Sequence, residues 1–455
     1  MPPLPLFGTN GIRGIANKEL TPEFAVRASL SIGTFFKGGR ILLGYDGRLS
    51  APFFKSIVAG ALLSTGCEVC EAGMVPTPAL QYGVKHFRMD GGVMITASHN
   101  PPEYIGIKVV AEDGVELDRS QELEVEEIYF KEHFMRSEWD KVGRFHTNTE
   151  VLKVHKRAVM GQVDAELVQK KRLRVAVDPG NGVMAVVVPQ LLCDLGCEVV
   201  TVNADVDGRF PGRDSEPRPD NLGGLSLLVK ASEADLGVAF DGDGDRSLFV
   251  DERGEVYWGD RSLALVVQKF LSEHPGEQVV TPISSSQVLK DVVEAGGGRL
   301  VWTKVGSVTI SRTMVSEGIK LGGEENGGVM YGPHQPVRDG AMTTALILEI
   351  LARTGKRLSE LFNSLPSYCQ LKDRVACPEE MKEQVIEKLR SAVKATKVET
   401  LDGVKVWHPD SSWILVRPSG TEPIFRLYAE AKTEEQVRRL VKEFKELLTR
   451  IISQM

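Results

Sequence analysis

RVAVDPGNGVMAVVVPQLLCDLGCEVVTVN, residues 174–203, reads as an apolar strand, a tight glycine loop, a helix closed by Gly196, and a second strand. That order is a βαβ unit, the building block of a parallel sheet covered by helices. The same grammar recurs on both sides. ILLGYD (41–46) leads through a small-residue loop to the helix-like SAPFFKSIVAGALLSTG (50–66) and the strand-like CEVCEAG (67–73). VVTPI (279–283) leads through SSS to QVLKDVVEAGG (287–297) and then RLVWTKVG (299–306). The tetrapeptide GCEV even repeats at the same junction, Gly66–Val69 and Gly196–Val199. A period of about a hundred residues gives one unit to each of three domains, not a solenoid of short repeats.

The tail has a different pattern. PEEMKEQVIEKLRSAVKA (378–395) is helical; VKVWH, SWILVRP and IFRLYAEA are strands; TEEQVRRLVKEFKELLTRIISQ (433–454) is helical again. Thr433 with Gln436 forms a capping box for that last helix. Val437, Leu440, Val441, Phe444, Leu447, Leu448 and Ile451 then make one apolar face. A smaller α+β domain is expected. The expected division is 1–150, 151–251, 252–366 and 367–455, within what 455 residues allow at roughly 150 per domain.

A hydrophobic content of 42% and a charged content of 26% are ordinary for a soluble globular protein. A formal net charge of −7 argues against nucleic acid or an anionic membrane as partner. Any anion must be met by a locally positive pocket. No apolar run approaches the ~18 residues of a membrane span. The stretch MPPLPLFGTNGIRG lacks the basic start and long apolar run of a signal peptide, so the expected location is cytoplasmic. Six cysteines in this length are not a disulfide framework. Cys67 and Cys70 form a CxxC with no second pair at zinc spacing, inside a strand-like stretch, and read as structural.

DGDGDR, Asp241 to Arg246, is the strongest chemical signal. Apolar, strand-like LGVAF and SLFVD flank it. Three carboxylates so close repel one another unless a cation sits among them. The interleaved glycines let the backbone curl so that three oxygens can face one centre. Oxygen-only ligands suit a hard cation, Mg²⁺ or Ca²⁺. An EF-hand fails, because Arg246 stands where Gly is needed and the flanks are strands. A solvated acidic turn is the bland alternative.

TASHNP (96–101) sets a hydroxyl beside an imidazole, which suggests either nucleophilic chemistry or merely a small polar loop. RPSGTEP (417–423) follows the strand SWILV; Arg417, Ser419, Gly420 and Thr421 can enclose a phosphate, or form a plain turn. GGEENGG (322–328) carries Glu324, Glu325 and Asn326, which suit sugar hydroxyls better than phosphate. FGTNGIRG (7–14) lacks the Lys-Ser/Thr ending of a P-loop and offers one cation, Arg13.

In order and spacing, FGTNGIRG, TASHNP, DGDGDR, GGEENGG, RDG and RPSGTEP resemble the α-D-phosphohexomutase family: phosphoglucomutase, phosphomannomutase and phosphoglucosamine mutase. The resemblance covers the whole chain. It implies a four-domain α/β architecture around a central cleft: three related α/β domains with mixed sheets and a smaller C-terminal α+β domain. The mixed sheets replace the parallel-only expectation. It further implies that Ser98 carries a phosphoryl group, and that Asp241, Asp243 and Asp245 hold Mg²⁺ with an oxygen of phosphorylated Ser98. Arg13, Lys108 and Arg246 match positive residues near the phosphoserine, and Lys108 is also a candidate for proton transfer. His99 orients the phosphate or helps move a proton, although adjacent side chains in an extended loop point apart. Lys304, Glu324 and Asn326 match sugar contacts. Arg417, Ser419, Gly420 and Thr421 match the distal phosphate site.

The implied reaction moves a phosphoryl group between the 1- and 6-positions of a hexose phosphate, with hexose 1,6-bisphosphate as intermediate and activator. The implied partners are small-molecule hexose phosphates, and the chain is a monomer or a dimer. Some residues depart from the subfamilies. Ser307 stands where dual phosphomannomutase/phosphoglucomutases have histidine, and Lys304 can substitute for it. Asn10 stands where phosphoglucosamine mutases have Asp, and Asn326 where they have Ser. Glucose and mannose phosphates are the expected substrates, with glucosamine phosphate the alternative. A phosphatase using the same serine and metal, and a non-catalytic sugar-phosphate sensor, are the rivals from other classes.

Overall fold

The computed structural model describes residues 6–8, 11–393, 397–419 and 422–455. Each βαβ unit lies at the heart of its own sheet. In the first domain Arg40–Tyr45 runs parallel to Glu68–Met74 on one side and Gly91–Ile95 on the other. In the second, Arg174–Asp178 lies parallel between Glu198–Thr201 and Leu236–Phe240. In the third, Gln278–Pro282 lies parallel between Arg299–Thr303 and Leu321–Gly323.

All three sheets then turn antiparallel at the same place. Gly91–Ile95 pairs antiparallel with Tyr104–Ala111, Leu236–Phe240 with Ser247–Asp251, and Leu321–Gly323 with Val329–Tyr331. An antiparallel neighbour needs only a short connection, whereas a parallel one needs a crossover. The connecting loops carry TASHNP, DGDGDR and EENGG. They therefore occupy equivalent positions in three related sheets, which are mixed as the resemblance implied.

One local expectation is corrected. VMAVVVPQLLCDLG (183–196) reads as a single helix, but the structure has a 3-10 turn at Val183–Val186 and an α-helix only at Val188–Asp194. Pro189 explains the break: it fits the first helical turn and cannot sit in a helix interior. The fourth domain is a five-stranded antiparallel sheet with the helices Lys382–Ala392 and Glu434–Ser453. Thr433 and Gln436 make the expected capping box. Two strands were not anticipated, Cys369–Ala376 and Lys397–Glu399.

The second and third domains share one core. Phe240 and Phe249 of the second pack in the same cluster as Leu263, Phe270, Leu321 and Leu346 of the third. Helix Gly340–Thr354 is buried from Gly340 to Ala352, which its all-round apolar sequence requires. The fourth domain has a separate core, including Val406, Ile414, Phe425, Leu427 and Leu448. Among the described residues, no helix is long and apolar enough to cross a membrane.

The third and fourth domains meet through a small apolar cluster, Ile283 with Trp413 and Leu415, and through polar groups. Buried Glu430 accepts hydrogen bonds from the Gln287 backbone N–H (2.9 Å) and from Trp413 Nε1 (3.0 Å). Lys405 Nζ donates to the Ile283 carbonyl (2.7 Å), with the ring of Trp413 3.7 Å away. Asp260 faces this interface. Burial, then Glu430 and Glu325, push its carboxyl up to about 7 against the pull of Lys372. The unfolded chain releases that proton at about pH 3.9. The native state therefore binds more protons across this window, and stability is lost as pH rises through about 7. Asp260→Asn keeps the shape and removes the charge. Its melting temperature should match wild type at pH 4 and exceed it increasingly up to pH 8; a gap that does not change with pH would refute the assignment.

Candidate active site

The serine loop leaves the fully buried strand Gly91–Ile95 at Thr96. Ser98 adopts a left-handed conformation, φ 50°, uncommon for a residue with a Cβ and found where the surroundings enforce it. Arg48 does much of the enforcing. Its guanidinium donates to the carbonyls of Ser98 (2.7 Å), Asn100 (2.6 Å), Pro101 (2.6 Å) and Tyr104 (3.0 Å). Asp46 pairs with Arg48 at 3.3 Å and accepts from Thr96 Oγ1 at 2.6 Å. Thr96 Oγ1 in turn accepts the Ser98 N–H at 2.8 Å. Neither Asp46 nor Arg48 was singled out from the sequence. Two charges at the end of an apolar strand were the available signal.

The loop is not extended, and this corrects the expectation for His99. The left-handed turn at Ser98 brings His99 Nδ1 within 3.4 Å of Ser98 Oγ. Burial, then Arg246, Arg13 and Arg338, hold the imidazole well below its ordinary pKa, so it is neutral. Arg13 donates to Asn100 Oδ1 (2.7 Å) and the Ala97 carbonyl (3.3 Å). Burial lowers Arg13 to about 10, which leaves it charged at neutral pH.

The pairing Phe240↔Ser247 puts DGDGDR on a hairpin end against this loop. Ser98 Oγ donates to Asp241 Oδ2 at 2.9 Å. A Cβ at Gly242 would stand 2.5 Å from the Ser98 carbonyl oxygen, so glycine is required there for the loops to touch. The three aspartates are buried, with their ligand oxygens within 4.8 Å of one another.

Other domains supply the countercharges. Lys108 Nζ donates to Asp243 Oδ2 (2.8 Å) and lies 3.5 Å from Asp245 Oδ2. Thr77 Oγ1 donates to Asp243 Oδ2 (2.6 Å). Arg338 forks between Asp245 Oδ2 (2.5 Å) and Glu324 Oε2 (3.0 Å). Arg246 donates its backbone N–H to Asp241 Oδ1 (3.1 Å) and its guanidinium to Glu216 Oε1 (2.7 Å).

Two buried oxygens, Asp243 Oδ1 and Asp245 Oδ1, accept no hydrogen bond among the described residues. Buried carboxylate oxygens left over in a converging set are what a hard cation ligates. The residues therefore fit a Mg²⁺-type ion. Burial, then Asp245 and Asp243, push the Asp241 carboxyl well above its usual range. Burial also opposes ionisation of Asp243, but Lys108 and Thr77 win and hold it well below. Burial works to lower Lys108, yet Asp243 and Asp245 carry its pKa upward. The lowered pKa that a lysine base needs is absent in this arrangement. Thr77 and Arg338 were not anticipated, although Arg338 stands in the RDG that helped mark the family.

Of the expected sugar contacts, Glu324 joins the cluster through Arg338. Asn326 Oδ1 accepts the Gly328 N–H at 3.1 Å, closing its own turn. Lys304 is exposed at the junction of the third and fourth domains. Arg417 lies at the same junction, where its Nε donates to Asp402 Oδ2 (2.9 Å). That oxygen also accepts the N–H of Val305, next to Lys304 (3.0 Å). Ser419 Oγ accepts the Glu422 N–H (3.3 Å). Buried Lys382, another unanticipated residue, donates to the Ser419 (2.6 Å) and Glu422 (2.8 Å) carbonyls and shapes the loop. Gly420 and Thr421 lie outside the described residues.

Family models cover nearly the whole chain. Phosphoglucomutase/phosphomannomutase alpha/beta/alpha domains I, II and III match residues 4–136, 153–254 and 258–368, and the C-terminal domain matches 374–447. A phosphoglucomutase/phosphomannomutase of Thermococcus kodakarensis is 45% identical, over 95% of this chain and 96% of that one. A phosphoglucosamine/phosphogalactosamine mutase of Sulfurisphaera tokodaii is 44% identical, over 97% and 99%. The crystal structure of a phosphoglucomutase/phosphomannomutase family protein from Burkholderia thailandensis superposes with a TM-score of 0.88 at 29% identity, covering 99% of this chain and 98% of that one. Its four domains, its buried acidic hairpin and these relatives agree: the chain belongs to the phosphoglucomutase/phosphomannomutase family of α-D-phosphohexomutases, isomerases that transfer a phosphoryl group within a hexose phosphate.

Proposed function

We propose that the protein interconverts the 1- and 6-phosphates of glucose and mannose through phosphorylated Ser98 and a bisphosphorylated sugar. The observation that carries this reading is the Ser98 Oγ–H donating to Asp241 at 2.9 Å, beside two carboxylate oxygens that accept no hydrogen bond among the described residues. In the first transfer the bond from phosphorus to Ser98 Oγ breaks as the free sugar hydroxyl bonds to phosphorus. The hydroxyl proton passes to a base, and Ser98 Oγ takes up a proton as it leaves. His99 Nδ1, 3.4 Å from Ser98 Oγ, stands on that leaving side and suits passing a proton to or from the serine oxygen. Lys108, held protonated, suits stabilising charge on the moving group. The bisphosphorylated sugar turns, and the reverse transfer returns its other phosphate to Ser98 Oγ. Asp241, Asp243, Asp245 and phosphorylated Ser98 would hold Mg²⁺, which supplies charge neutralisation at the transferring phosphoryl group.

Glu324 and Asn326 would meet the sugar, and Arg417, Ser419, Gly420 and Thr421 the phosphate far from the serine. Arg13 and Arg246 would face the near phosphate. The Sulfurisphaera tokodaii relative favours a second reading, glucosamine phosphate as substrate.

Phosphorus NMR with glucose 1-phosphate, Mg²⁺ and a trace of glucose 1,6-bisphosphate should show the 6-phosphate forming, and none with Ser98→Ala. Inorganic phosphate alone would make the protein a phosphatase, and an active Ser98→Ala would overturn the phosphoserine. Asp243→Asn should fold normally and lose about a hundredfold or more in kcat; full activity in that variant, or after chelation of Mg²⁺, would remove the metal from the mechanism. Arg417→Ala should raise KM by about tenfold, since a charge-assisted phosphate contact is lost. Unchanged kinetics there would rule out the distal phosphate site.

A further inference from the structure

Behind Arg338 lies a second buried polar group, built on the next residue. Asp339 is 1% exposed. Its Oδ2 accepts from His155 Nε2 (2.7 Å), His334 Nε2 (3.2 Å) and Gln335 Nε2 (3.1 Å). Its Oδ1 caps helix Gly340–Thr354 by accepting from the N–H groups of Ala341 (3.0 Å) and Met342 (3.1 Å). Four of these donors lie within five residues of Asp339, and His155 alone comes from a distant part of the chain. His155 sits on helix Val151–Met160, between the sheets of the first and second domains. Gln335 Nε2 also reaches the Pro78 carbonyl of the first domain (3.1 Å). Tyr82, on the helix that begins with Thr77, stacks on His334 at 5.1 Å and meets His155 edge-on at 6.1 Å.

Two imidazoles and a carboxylate with atoms within 4.8 Å could also ligate a transition metal. The hydrogen bonds decide otherwise. Five donors already fill the carboxylate. Both Nε2 atoms must carry protons to donate, and both Nδ1 atoms are buried with no hydrogen-bond partner among the described residues. A metal on Nε2 would shift each proton to Nδ1 and leave two buried N–H groups without acceptors.

The residues flanking Asp339 touch the reaction centre. Arg338 joins Asp245 to Glu324, and the Gly340 N–H donates to the Gly244 carbonyl at 3.2 Å. A long arginine side chain is only as well placed as the backbone that carries it. We propose that His155 and His334 are positioning residues for phosphoryl transfer. By fixing Asp339 they hold Arg338 and Gly340 against the acidic loop and the sugar loop, and so set the geometry of the metal ligands. This inference rests on the assignment of Asp245 as a metal ligand.

His155→Phe keeps a ring beside Tyr82 and removes the donor. His155→Gln restores an amide N–H near the place of Nε2. The measurements are kcat, KM, the Mg²⁺ concentration giving half-maximal activity, melting temperature and the zinc content of the purified protein. His155→Phe should lose about tenfold in kcat and need several times more Mg²⁺, with KM within about twofold, and His155→Gln should recover most of both. A purely structural role would lower the melting temperature and leave kcat and Mg²⁺ dependence at wild-type values; that result overturns the inference. Stoichiometric zinc in wild type that disappears in His155→Phe overturns it too. Should His155→Phe not fold, the pair His334→Phe and His334→Gln makes the same comparison. The two readings fail separately. Asp243→Asn with full Mg²⁺-dependent activity removes the metal assignment. An unchanged His155→Phe, where Asp243→Asn is inactive, removes only the positioning role.

Discussion

Three carboxylates buried on one six-residue hairpin cannot be stable by themselves. Each ion loses hydration on burial, and their mutual repulsion grows as the surroundings become less polar. The hairpin carries one cation of its own, Arg246, whose guanidinium donates to Glu216 and lies 3.8 Å from Asp245 Oδ1. The rest of the compensation comes from elsewhere: Lys108 and Thr77 from the first domain, Arg338 from the third. Burial of this loop therefore couples the three domains. Even then the compensation is incomplete, since Asp243 Oδ1 and Asp245 Oδ1 accept no hydrogen bond among the described residues and Asp241 is driven toward its protonated form. A hard cation ligated by those oxygens would complete the compensation.

The repeated topology explains why the pieces meet. The loops carrying TASHNP, DGDGDR and EENGG each join the same kind of antiparallel strand pair in a related sheet. Three copies of one scaffold thus present three different chemistries at one kind of hairpin. Once the copies are packed around a centre, equivalent loops converge without any long excursion of the chain. Glycines set how closely they meet. A Cβ at Gly242 would lie 2.5 Å from the Ser98 carbonyl, and one at Gly327 would lie 2.3 Å from the Ser247 carbonyl. At these two points the contact between neighbouring domains is backbone against backbone.

What the sequence displayed was local. Strand and helix periods, the glycine stops, the Thr433 cap and the acidic hairpin follow from residues within a few positions of one another, and each is found in the structure. What it hid was pairing across distance. Arg48 acts on carbonyls about fifty residues away, and Arg338 on Asp245, 93 residues away. Nothing near either residue marks its partner. The left-handed turn at Ser98 was equally hidden, because serine rarely adopts it and only the surrounding hydrogen bonds impose it. Strand Cys369–Ala376 was overlooked because Lys372, Asp373 and Arg374 look like a loop. It is an edge strand whose polar residues alternate outward beside Ile424–Ala431.

The proposed reaction makes two demands that conflict. The serine, the acidic loop and the sugar loop must stay fixed to about the precision of a hydrogen bond, yet the sugar must turn end for end between transfers. The molecule divides these demands between its parts. The second and third domains share an apolar core, whose exposure costs roughly 25 cal/mol for each Å². The first is locked to them by the carboxylate network. The fourth has its own core and meets the third through a small apolar cluster, Ile283 with Trp413 and Leu415, and through Glu430, Lys405 and Asp402. Polar contacts exchange with water at a net cost of only about 1 kcal/mol each. Arg417, the proposed grip on the distal phosphate, shares Asp402 with the Val305 N–H at that seam. On the proposed function, a phosphate there would compete for Arg417 with Asp402, whose same oxygen accepts the Val305 N–H of the third domain. Distal phosphate binding would then be tied to a contact between the third and fourth domains, at a distance from the carboxylate network.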